Sequence, residues 1–115
     1  MEAREHFEEL VRDALDSLPS WVQERMVNVE VIVEDRPPRS DPNLLGRYHG
    51  VPLINRGQFH SGPVFPDTIT LYRRTIERVS RDDDELRAVV AHTVEHEVAH
   101  FFGISDDRLR EIDRY

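Results

Sequence analysis

His96-Glu97-Val98-Ala99-His100-Phe101-Phe102-Gly103-Ile104-Ser105-Asp106 is the stretch on which the reading of this chain turns. From Leu86 to Phe102 there is neither proline nor glycine, so the first five of these residues are expected on a long helix, one that Ser80 or Asp82 can cap at its start. Residues four apart on a helix share a face, and His96 and His100 can therefore close on a single cation. Glu97 is rotated by about 100° from His96, too far to join the pair as a ligand but within reach of a water between them, which suits a general base. Gly103 ends the helix in a left-handed cap, and the reversal that follows returns Asp106 as a third ligand, with Asp107 as its substitute. Two neutral imidazoles and one carboxylate leave a zinc ion positively charged, which acidifies its water and polarises a bound carbonyl. The chemistry implied is hydrolysis.

A purely architectural reading competes with this one. In it the histidines are half-buried helix residues, Gly103 is only a C-cap, and Asp106 caps the next helix. Chance weighs against it. A composition with 6 histidines gives the five-residue core in roughly 3% of such chains, and the added Gly and Asp lower that to on the order of 10⁻⁴.

Working outward, Phe7, Leu10, Val11, Ala14, Leu15 and Leu18 lay one apolar stripe along an N-terminal helix that Pro19 stops. Ser20 is expected to cap a short turn through Trp21 to Met26. Val27, Val29, Val31 and Val33 then alternate as a strand ending near Asp35. The proline-rich segment 36–43 is a loop, residues 44–53 suit a short or bulged strand, and residues 54–66 a second loop. Thr68 to Tyr72 is a further strand. Residues 106–113 read as a short helix with Leu109 and Ile112 inward. The fold class expected is α+β: one small domain over residues 1–115, with a short mixed or antiparallel sheet packed against the N-terminal and motif helices.

At 115 residues, 38% hydrophobic and 33% charged, the chain has the composition of a small soluble domain. Its net charge of −8 opposes nucleic acids and anionic membranes and mildly favours cationic substrates. With no cysteine, thiolate metal sites and cysteine nucleophiles are excluded, so any metal rests on His, Asp or Glu. The acidic N-terminus lacks the pattern of a secretory signal, and a cytoplasmic location is expected.

The eleven-residue string resembles the zincin signature, with metzincin spacing and Asp in place of the usual third His. More closely, the chain resembles the bacterial minimal zincin family, on Leu45-Gly46-Arg47-Tyr48-His49-Gly50-Val51-Pro52-Leu53, Pro66-Asp67-Thr68-Ile69-Thr70-Leu71-Tyr72-Arg73-Arg74 and the string itself, in the family's order. The resemblance implies a small zinc-dependent hydrolase with His96, His100 and Asp106 as ligands and Glu97 as the catalytic residue. It also has departures. The only methionines are Met1 and Met26, so no methionine turn underlies the site. With nine residues after Asp106, no C-terminal subdomain is expected to wall a substrate cleft. Substrates are then small or unfolded peptides or proteins, or a partner chain completes the cleft.

Other residues carry weaker signals. His92 stands one turn before His96, but three consecutive turns cannot all reach one ion, so it is read as a flank. Tyr48, His49 and Tyr72 are candidate oxyanion or substrate contacts, each weighed against plain packing. Arg73, Arg74, Arg78 and Arg81 read as a solvated, salt-bridged surface, and Trp21, Phe7, Phe101 and Phe102 as core. Two rivals to a peptidase remain: a non-catalytic module stapled by its metal, and a hydrolase of non-peptide amides.

Overall fold

The computed structural model describes residues 3–52 and 65–108. Seven elements follow in chain order: α1 (Ala3–Asp16), α2 (Ser20–Arg25), β1 (Val29–Glu34), β2 (Gly46–His49), β3 (Asp67–Tyr72), α3 (Arg73–Val79) and α4 (Asp83–Phe101). Residues 106–108 begin a further helical turn. Leu109 and Ile112, and nearly all of the loop expected over 54–66, lie outside the described residues.

The sheet has the order β1-β3-β2, with β1 parallel and β2 antiparallel to β3. It is the mixed sheet of an α+β domain. Central β3 buries Ile69 and Leu71, which meet Phe7, Leu10 and Val11 of α1, Ile76 of α3, and Val90, Val94 and Val98 of α4. Each of these sets repeats at the period of its own element, so burial follows directly from the sequence pattern. No helix among the described residues is long and apolar enough to cross a membrane.

Four local expectations are corrected. Val27 is 70% exposed and precedes the strand, because Asn28 takes φ 62°, a left-handed conformation that Asn tolerates and that interrupts extended backbone. Pro19, not Ser20, occupies the N-cap of α2, and no side chain caps that end. Trp21 is 56% exposed: α2 turns Val22 into the core, and the indole packs in a T-shaped pair with Phe102, ring centroids 5.7 Å apart. Arg73 is buried rather than solvated, on α3, a helix the sequence reading lacked. Its guanidinium bridges Asp35 Oδ1 at 3.1 Å and Glu77 at 3.2 Å, and holds the Asp35 carboxyl below its usual range.

Candidate metal centre

The helix that carries the site is fixed at both ends. Asp82 caps α4 by accepting the Glu85 N–H at 2.8 Å, and Asp83, Asp84 and Glu85 place negative charge in the first turn, where the helix dipole favours it. At the other end Gly103 adopts φ 95°. Its N–H donates to the His100 carbonyl at 2.9 Å, and the Ile104 N–H to the Ala99 carbonyl at 3.0 Å, the paired bonds of a Schellman turn. A side chain at position 103 would strain this turn. Ser105 Oγ then accepts the Arg108 N–H at 3.2 Å and caps the next turn. The capping role that could have occupied Asp106 falls to its neighbour, and the Asp106 carboxylate faces the histidines.

Three donor atoms meet there. His96 Nε2 lies 3.1 Å from His100 Nε2, and Asp106 Oδ1 lies 3.1 Å from the first and 3.0 Å from the second. Three ligands bonded at about 2.1 Å to one tetrahedral zinc ion stand about 3.4 Å from one another, so the triangle needs to open by only a few tenths of an ångström. Among the described residues this is the one group of three such donors close enough to share an ion. His100 Nδ1 is 2.8 Å from the Ile104 carbonyl and donates to it, which leaves the lone pair on Nε2, inside the triangle. The Gly103 turn thus sets both the return of Asp106 and the tautomer of His100. The donor set of two imidazoles and one carboxylate fits zinc and leaves a fourth position for water. His92 flanks the triangle, its ring centroid 6.3 Å from that of His96, and Asp107 is not part of it.

Glu97 stands against β2 and is only 6% exposed. Burial is the main cause that raises its carboxyl from 4.5 to about 7; the Asp106 charge pushes the same way, while His100 and a hydrogen bond from the Tyr48 backbone N–H pull it down. Gly46 makes this closeness possible. A Cβ there would stand 2.8 Å from Thr93 Cγ2 and 3.3 Å from Glu97 Cγ, so only glycine lets β2 lie this near α4. The Tyr48 hydroxyl donates to Asp67 Oδ2 at 2.6 Å and its ring packs edge-on against Phe101, which anchors the strand whose N–H holds Glu97.

An open groove of about 460 Å³ runs over these groups, walled by residues 44–48 on one side and by His92, Thr93, His96, Glu97, His100 and Asp106 on the other. Of the candidate contacts, Tyr48 lines it, whereas His49 and Tyr72 do not. His49 is exposed, and Tyr72 is 5% exposed, its phenol raised by burial. The sequence reading missed Leu44, Leu45, Gly46, Arg47 and Thr93 as groove residues. Gly46 offered the one usable signal, a glycine inside a strand, which marks close approach of another backbone or side chain.

The zincin-like metallopeptidase family model matches residues 26–115. The chain belongs to this family. A solved structure, that of a conserved hypothetical protein from T. thermophilus, is 25% identical to this zincin-like chain. The likeness covers 84% of this chain and 91% of that one, with a TM-score of 0.57. No functionally curated protein matches it.

Proposed function

We propose that this zincin-like protein is a zinc-dependent peptidase that hydrolyses amide bonds of extended, flexible peptides. The observation that carries the reading is the pairing of the three-donor triangle with a secluded carboxyl on the same helix, Glu97, at the wall of one open groove. His96, His100 and Asp106 would hold the ion. Bound there, zinc would supply a Lewis acid for the scissile carbonyl and lower the pKa of a water. Glu97 takes the proton of the attacking water and hands it to the leaving nitrogen, a task suited to a carboxyl held in the groove wall beside the donors. The Tyr48 N–H holds Glu97 in place for both transfers.

The peptide class is supported by the groove's other wall. There β2, at the edge of the described sheet, lines the groove with residues 46–48, and an extended chain laid beside a strand is a recurring mode of peptide recognition. The net charge of −8 favours cationic substrates at encounter.

The test is zinc stoichiometry and cleavage of an unfolded peptide library by wild type, Glu97→Gln and His100→Ala. Glu97→Gln is expected to keep its zinc and lose turnover, and His100→Ala to lose both. Continued cleavage by zinc-replete Glu97→Gln removes the glutamate from its role. A wild type that binds zinc, gains thermal stability from it and cuts nothing is instead a metal-stapled module.

A further inference from the structure

A second groove, of about 660 Å³, lies between the loop joining β1 to β2 and the exposed side of α3. Four arginines line it: Arg36 and Arg39 from the loop, and Arg74 and Arg78, one turn apart on α3. All four are exposed. The single acid in the lining, Glu77, is taken up by Arg73, whose Nη1 lies 3.2 Å from each carboxylate oxygen. Among the described residues Arg36, Arg39 and Arg74 form no ion pair, and Arg78 donates only to the Asn43 side-chain oxygen, at 3.1 Å. Asp35, at the start of the loop, is bound by Arg4 and Arg73.

This concentration of positive charge stands in a chain whose net charge is −8. Four guanidinium groups around one groove repel each other, and a multiply charged anion would relieve that repulsion. The frame is stiff. Pro37, Pro38 and Pro42 fix φ through the loop, the Arg74 N–H donates to the Asp35 carbonyl at 2.9 Å, and Asn43 orients Arg78, so a ligand would order side chains on a backbone already set. Guanidinium forks match phosphate oxygens in pairs, and four of them match two or three phosphoryl groups better than one. A small ligand is favoured over a nucleic acid, because the acidic remainder of the protein repels a long polyanion while a short one stays within the groove.

We propose that this groove binds the oligophosphate moiety of a small molecule. The zinc-loaded full chain, titrated calorimetrically at physiological salt with tripolyphosphate and with a nucleoside triphosphate, tests it, with orthophosphate and sulfate as single-anion controls. Arg39→Gln and Arg74→Gln are the matched variants; both side chains are exposed, and neither lies in the metal groove, so removal of zinc by a given oligophosphate contributes equally to wild type and variants. One-site binding tighter than about 100 µM, at least about tenfold weaker in either variant and weaker still for the single anions, supports the proposal. Tighter binding of the nucleoside triphosphate identifies a nucleotide, and equal binding a free oligophosphate. Absence of saturation by about 10 mM, or curves identical in wild type and variants, overturns it. Tighter binding of a single-stranded oligonucleotide than of either probe also overturns it.

Discussion

Glu97→Gln in metal-free protein isolates the free energy stored by secluding this carboxyl. In the unfolded chain it titrates near 4.5, and in the folded protein at about 7. The folded state therefore keeps a proton that the unfolded state has already released between these values, and the stability this confers is present at low pH and lost as pH rises. The slope is about 1.4 kcal/mol per pH unit, and the interval amounts to about 3 kcal/mol, complete above neutrality. Glutamine does not titrate and still offers an oxygen to the Tyr48 N–H, so the variant avoids this loss. His96, His100 and Asp106 are common to both proteins and largely cancel in the comparison. Urea unfolding in chelator, followed at pH 5, 6, 7 and 8, should show Glu97→Gln gaining on wild type by about 2.5 kcal/mol across the series, since part of the interval lies below pH 5. Added zinc should shrink the gain, because a nearby cation favours the carboxylate. A difference that stays flat from pH 5 to 8 would refute the seclusion of Glu97.

Gly103→Ala forces a side chain into φ 95° and should cost about 1–2 kcal/mol in thermal unfolding, with weaker zinc retention in chelator competition because the Ile104 carbonyl and Asp106 shift together. Gly46→Ala drives a Cβ to 2.8 Å from Thr93 Cγ2; β2 should move off α4, stability fall by about 1–3 kcal/mol, and peptide turnover drop while bound zinc stays at wild-type stoichiometry. Arg73→Ala leaves Glu77 and Asp35 without their shared partner and opens space beside the core, so urea unfolding should show a loss of about 1–3 kcal/mol. That loss should narrow at acid pH, since Asp35, whose pKa is lowered in the folded state, stabilises the fold above its ordinary value and ceases to as pH falls.

The elements with long, clean periodicity were legible: the stripe of α1, the alternation of β1 and β3, and the uninterrupted run of α4 all appear where the residue pattern puts them. The seven residues of α3 gave no such signal. Arg73-Arg74-Thr75-Ile76-Glu77-Arg78-Val79 mixes β-branched and charged residues and follows β3 without a turn, and its helix rests on tertiary burial of Arg73, Thr75 and Ile76. Trp21 misled for a related reason, since which face of a six-residue helix turns inward is decided by packing. At the site, the spacing of His96, His100 and Asp106 was enough to foresee their convergence, because one helix and its terminal turn generate it. The burial of Glu97 was not legible, because it depends on Gly46 of a strand far away in sequence.

All three donors sit within a span of ten peptide bonds, so their convergence on one point is a property of a short contiguous segment. The environment of Glu97 arises only when β2 arrives. The donor triangle and the carboxyl beside it thus answer to different parts of the chain, and a substitution in β2 can alter the second while leaving the first in place.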